Sequence, residues 1–197
     1  MSKQLSVPII SEAFPDAKAS AWPRAMGIVL VGSAFVAVCA HISLPLYFTP
    51  VPLSVAPFAV LLLGLLLSPR VGLATLCAYL AEGALGLPVF APISPGGLVH
   101  LFGPTGGYLL AYPLAAMLIS FLWRRSERGF TSALVSAAVG SFAIIACGAL
   151  WLGLLTHASA QSVLALAVLP FLPGDMLKIA AAAALAAGFY RLRRQTA

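Results

Sequence analysis

The sequence predicts an all-α membrane protein, a bundle of six transmembrane helices with both termini in the cytoplasm. Three observations carry the prediction. Hydrophobic residues make up 61% of the chain and charged residues 8%, with a mean hydropathy of +1.04. The eleven basic and five acidic residues of a 197-residue chain cannot furnish the charged shell that a water-soluble domain requires. Apolar runs close to the length of a span, about 20 residues for roughly 30 Å of hydrocarbon, recur between short interruptions. The basic residues that give the chain its formal charge of +6 cluster where those runs end. That is the pattern of loops at a membrane surface and not of a nucleic-acid-binding face, so no nucleic-acid partner is expected.

Residues 1–24 are polar, mildly charged and interrupted by Pro8, Pro15 and Pro23, and they read as a cytoplasmic leader. Lys18 and Arg24 followed by the run to Cys39 and Ala40 imitate a cleaved signal peptide; with several more spans behind them, an uncleaved first helix accounts for the same residues. Residues 25–197 read as one transmembrane domain without an evident repeat or linker. Its spans are expected at 25–44, 53–68, 71–87, 106–123, 131–155 and 171–190. The second is the shortest, and Pro57 suits a first helical turn there. With six spans, Lys3, Lys18, Arg24, Arg70, Arg124, Arg125, Arg128, Arg191, Arg193 and Arg194 fall on one side, and the opposite loops contain no basic residue. Losing one span would scramble this segregation. The charge count therefore supports the helix number and a multi-pass protein of the plasma (inner) membrane with cytoplasmic ends.

The outer connections, near 45–54, 88–105 and 156–170, have no charge but are rich in proline and glycine. Irregular backbone cannot face lipid, where each unpaired N–H or C=O costs several kcal/mol, so these stretches lie in water or line a cavity. The run from Leu87 to Gly97 is too apolar for a casual solvent loop and suits a cap over a pocket. Ionisable residues within the spans are few: Glu82 on the third, and Asp175 and Lys178 at the start of the sixth. Each is costly in lipid and points to a site. Asp175 and Lys178 stand i, i+3, so a helix presents both on one face. Counting back from Arg191, Lys178 lies roughly 20 Å from the cytoplasmic edge. A cap-only reading stays open, in which Asp175 caps the sixth helix after Pro173-Gly174 and Lys178 pairs with it. For Glu82, a place in the pocket and a helix-packing hydrogen bond are equally open.

Other chemistries find no support. No G-x-x-x-x-G-K-[ST] run is present, and the glycines around Gly103, Gly106 and Gly107 lack the lysine of a phosphate cradle. Cys39, Cys77 and Cys147 lie inside spans at an odd count without metal spacing, as small apolar residues do. His41, His100 and His157 all fall at outer ends or loops, but without paired spacing or nearby thiolate or carboxylate partners. Serine and histidine are too scattered to form a nucleophile and base. The expectation is a protein that holds a small ligand near its outer face, with no enzymatic activity, no cofactor and no metal.

Four segments then carry a resemblance: Thr49-Pro50-Val51-Pro52-Leu53-Ser54, Gly86-Leu87-Pro88-Val89-Phe90-Ala91, Phe102-Gly103-Pro104-Thr105-Gly106-Gly107-Tyr108-Leu109 and Pro173-Gly174-Asp175-Met176-Leu177-Lys178. Together, in order from about 45 to 180, they resemble the BioY family, the biotin-binding S components of energy-coupling factor (ECF) transporters. The resemblance implies six helices, capture of biotin near the outer face under loop caps, and transport once the subunit joins a transmembrane coupling (T) component and a pair of cytoplasmic ATPases. Carried over by position, Asp175 and Lys178 match the family's contacts to the polar end of biotin, and Pro88, Phe90, Gly103, Gly106, Gly107 and Tyr108 its pocket lining. The sequence departs at Ala56 and Pro57, where the family commonly carries a polar amide. In chemical terms an ionised Asp accepts and a Lys donates, so the pair suits both faces of a ureido group, while Phe90, Tyr79 or Tyr108 covers the ring. The partner of the biotin carboxylate is not identified by the sequence.

On the first span Gly32, Ser33 and Ala37 are small, with Ser33 and Ala37 spaced as small-xxx-small; a docking face for the coupling protein and packing inside the bundle both explain them. Two other functional classes stay open. An ion-coupled secondary transporter would use Glu82 and Asp175 as carriers, though without the usual two-half architecture. A metal-uptake subunit would use the histidines.

Overall fold

The computed structural model describes residues 22–92 and 96–195. In chain order the elements are α1 (Trp22–His41), β1 (Ser43–Leu44), β2 (Leu53–Ser54), α2 (Ala56–Leu66), α3 (Pro69–Ala84), α4 (Leu98–Leu101), α5 (Gly106–Arg125), α6 (Phe130–Thr156), α7 (Ala160–Ala167) and α8 (Leu172–Gln195). Four of them, α1, α5, α6 and α8, are long and apolar enough to cross a membrane. The expected runs at 53–68 and 71–87 become helices of 11 and 16 residues, about 16 and 24 Å of rise.

The boundaries differ from the sequence expectation for local reasons. Residues 1–21 of the expected leader lie outside the described residues, whereas 22–24 belong to α1, where Pro23 sits in a first turn that needs no intrahelical N–H. The first span stops at His41 because the chain turns into β1, which pairs antiparallel with β2 through Ser43–Ser54 and Leu44–Leu53. An all-α description thus misses a small two-stranded ribbon. It replaces the expected start of the second span, and α2 begins only at Ala56, whose N–H donates to Ser54 Oγ at 3.1 Å. The connection expected to be irregular at 156–170 contains α7, capped by Ser159, whose Oγ accepts from the Ser162 N–H.

α2 is the hub of the bundle. Ala59, Val60 and Leu61 are fully buried, and α2 packs against α1, α5, α6 and α8. The longer helices keep small residues inward, such as Ala133, Ala137, Ala182 and Ala183, and turn Leu30, Val31, Phe142, Leu150 and Leu185 outward. A helix apolar on its outer face as well as its inner one suits a hydrocarbon solvent. α5 and α6 approach most closely: a Cβ on Gly107 would meet the Trp151 side chain and the Cys147 carbonyl, and one on Gly148 would overlap the Tyr108 ring.

One end of the bundle collects the basic residues. Ser120 Oγ donates to the Leu67 carbonyl at 2.6 Å and receives Arg124 Nε at 3.3 Å. Trp123 stands edge-on to Tyr190, over whose ring the Arg128 guanidinium lies at 5.6 Å. The α2–α3 turn, the α5–α6 turn and the end of α8 therefore share one side.

Candidate functional site

At the opposite end lies a pocket whose empty space, open mouth included, is about 640 Å³. Its apolar wall includes Ala40, Val51, Ala56, Pro57, Leu109, Ile144 and Phe171; its polar groups are Ser54, Tyr79, His100, Thr105, Tyr108, Tyr112, Asp175 and Lys178. Few polar groups on an apolar surface orient a ligand rather than solvate it.

The charged pair comes from α8. The Asp175 N–H donates to the Phe171 carbonyl at 2.9 Å, so Asp175 is held in the first turn of a helix that already began at Leu172. Both carboxylate oxygens face side chains: Oδ1 accepts from Lys178 Nζ at 2.9 Å and Oδ2 from Ser141 Oγ at 3.4 Å. Asp175 is only 6% exposed. A carboxylate so placed is not a simple end cap, because its acceptors look across to α6 and into the pocket. The ion pair compensates burial that neither charge would tolerate alone.

The expected lining residues divide into three groups. Asp175, Lys178, Tyr79 and Tyr108 stand on the pocket wall. The Tyr108 hydroxyl, however, donates to the Ala167 carbonyl at 2.8 Å, so it holds α7 rather than offering itself to a ligand. Phe90 forms a second layer: it is buried, meets Tyr79 edge-on at 5.4 Å and stacks on His100 at 4.8 Å. Its ring occupies the space a side chain on Gly83 would fill. Gly103, Gly106 and Gly107 are not on the wall. The Gly103 carbonyl accepts from Trp151 Nε1 at 2.9 Å, and a Cβ on Gly106 would strike the Leu101 carbonyl. Gly106 and Gly107 shape the site by letting α5 close on Trp151 of α6. Pro88 is exposed and off the wall.

Glu82 is off the pocket wall. Its two oxygens accept from Ser33 Oγ at 2.8 and 3.0 Å, joining α3 to α1 outside the pocket lining. Ser33 is accordingly buried and turned into the bundle, and Ala37 packs against the same core.

Sequence reasoning missed Tyr112, His100 and Thr105 as lining residues. Tyr112 follows Tyr108 by one helical turn and so shares its face, a signal present in the sequence but indistinguishable there from a core stripe. One further bond adds to that of Tyr108 at the end of α7. Thr49 Oγ1 donates to the Leu166 carbonyl at 2.8 Å, so Thr49 and Tyr108 together fasten the end of α7 over Val51, Leu152 and Phe171. Among the described residues no three His, Cys, Asp or Glu side chains gather as a metal site would need.

Comparison with known proteins gives one answer. The family model described as the BioY family matches residues 11–195. A probable biotin transporter BioY of Pyrococcus horikoshii is 37% identical over 163 residues, 83% of this chain and 94% of the relative. The biotin transporter BioY of Thermotoga maritima is 36% identical over 154 residues, 78% of this chain and 88% of the relative. A crystal structure of the S-component for biotin from an ECF-type ABC transporter superposes with a TM-score of 0.80 at 24% identity, covering 89% of this chain and 95% of that one.

Proposed function

From the premise that this chain belongs to the BioY family, we propose that it is a biotin-binding S component of an ECF-type vitamin uptake transporter. It is a multi-pass protein of the plasma membrane that binds its substrate without altering it. The observation that carries the reading is the compensated Asp175–Lys178 pair on the wall of a largely apolar pocket. Biotin combines a neutral ureido group, bearing two N–H donors and a C=O acceptor, with apolar rings and tail. A fixed carboxylate and ammonium can pair with the donors and the acceptor, while Ile144, Phe171 and Leu109 receive the apolar remainder. The gathering of Arg128, Tyr190 and the α2–α3 turn at one end supports six crossings with both termini cytoplasmic. Transport then requires a transmembrane coupling component and cytoplasmic ATPases, since the chain carries no nucleotide-binding motif of its own.

Glu82 is engaged by Ser33 away from the pocket and Asp175 by Lys178, which favours binding over the exchange of carried protons. Equilibrium binding of radiolabelled biotin to the purified protein tests the reading. Saturable binding is expected. Its absence, or binding of nickel or cobalt in its place, would refute it.

A further inference from the structure

A polar group of the pocket wall lacks a partner among the described residues. Tyr79 is fully buried, lines the pocket, and its hydroxyl has no hydrogen-bond partner among the described residues. Buried hydroxyls are normally paired, and an unpaired one destabilises the fold unless something completes it. Its ring cannot turn away, because Phe90 closes on it edge-on at 5.4 Å, itself backed by His100 at 4.8 Å and lodged against Gly83. The ring is therefore held at the cavity wall with its hydroxyl buried and unpaired.

The surroundings select what it meets. Glu82 lies i+3 from Tyr79 on α3, and Asp175 stands on the same pocket's wall. An anion beside Tyr79 would be repelled by Glu82 and would have to shed its hydration in a largely apolar chamber. A neutral carbonyl oxygen faces no such opposition and needs only a donor. We infer that the Tyr79 hydroxyl donates to the ureido oxygen of biotin, completing the recognition begun by Asp175 and Lys178 and holding the ligand's carboxylate away from this end of the site. The inference rests on the biotin-binding reading above and assigns Tyr79 a polar role, beyond covering a ring.

Tyr79→Phe removes one oxygen and keeps the ring on which Phe90 packs. The test compares biotin with its analogue bearing sulfur in place of the ureido oxygen, a weaker acceptor, on the parent and the variant, with thermal melting of both ligand-free proteins. Biotin should bind Tyr79→Phe about tenfold more weakly, about 1.4 kcal/mol, whereas the analogue should lose less than about twofold, so that the preference for oxygen over sulfur collapses. The ligand-free variant should melt no lower than the parent, since the hydroxyl it lacks was unpaired. Unchanged biotin affinity, an equal loss for both ligands, or a lower melting temperature would each overturn the assignment and leave biotin binding itself intact. A parent protein that fails to bind biotin would overturn the functional reading and this one with it.

Discussion

Replacing Asp175 by Asn separates recognition from folding, because the structure shows what each oxygen does. In the parent, Oδ1 accepts from Lys178 at 2.9 Å and Oδ2 faces Ser141 at 3.4 Å, with the two charged side chains 9% and 13% exposed. Asn keeps the shape and one acceptor, turns an N–H₂ toward the ligand's own N–H donors, and leaves the Lys178 ammonium without its counter-ion. Loss of one charge-assisted hydrogen bond in such a setting costs about 1.5 to 3 kcal/mol, roughly ten- to a hundredfold in Kd. Lys178→Ala should weaken biotin comparably and leave the Asp175 carboxylate with Ser141 alone. The double substitution removes both charges, so its ligand-free melting temperature should lie closer to the parent than either single variant does, while its affinity stays as low as the weaker of them. The assay is radiolabelled biotin titration on the three variants, each checked by thermal melting. A folded Asp175→Asn protein that binds biotin like the parent would refute the site, whatever became of the family assignment.

Reporter fusions active only in the cytoplasm should be active after Arg70, after Arg128 and at the C-terminus, and silent near Gly96 or Ser159; activity at Gly96 would overturn six crossings. Gly107→Ala places a methyl against the Trp151 side chain and the Cys147 carbonyl, so thermal unfolding should reveal a loss of about 1 to 3 kcal/mol despite alanine's higher helix propensity, and equal stability would mean that α5 and α6 are less tightly joined than described. Ala37→Trp overfills a position packed on the core, so biotin binding and uptake should fall together; uptake lost with binding intact would instead locate the coupling protein on that face of α1.

What the sequence disclosed and what it hid follow from one physical difference. An ionisable residue in an apolar run announces itself by its cost in lipid, which is how Asp175 and Lys178 were legible, and the segregation of basic residues announced which loops share a side. The direction in which a helix turns its face is decided by neighbours that no local pattern names. Glu82 and Tyr79 stand one turn apart on α3, yet Glu82 meets Ser33 and Tyr79 meets the pocket. Tyr112 is hidden for the same reason, since aromatic residues at helical spacing read as core, whereas His100 stands out in its loop only as a candidate metal ligand. Gly106 and Gly107 were recognised as special, but their service is to the α5–α6 contact and not to the wall. The β1–β2 ribbon, at two residues per strand, is too short for any alternation to register.

The shortness of α2 has a consequence for where a bound molecule resides. Its roughly 16 Å of rise is about half the hydrocarbon thickness, while α5 and α6 around it have 20 and 27 residues. Being enclosed by other helices, it incurs no mismatch with lipid, and Ala56 and Pro57 at its first turn line the pocket. A solute in contact with that first turn is surrounded by side chains of α1, α3, α5, α6 and α8 rather than by water. The place of that contact is thus set by where one helix begins, and the hydration a solute must surrender to reach it is a sieve that operates ahead of any hydrogen bond.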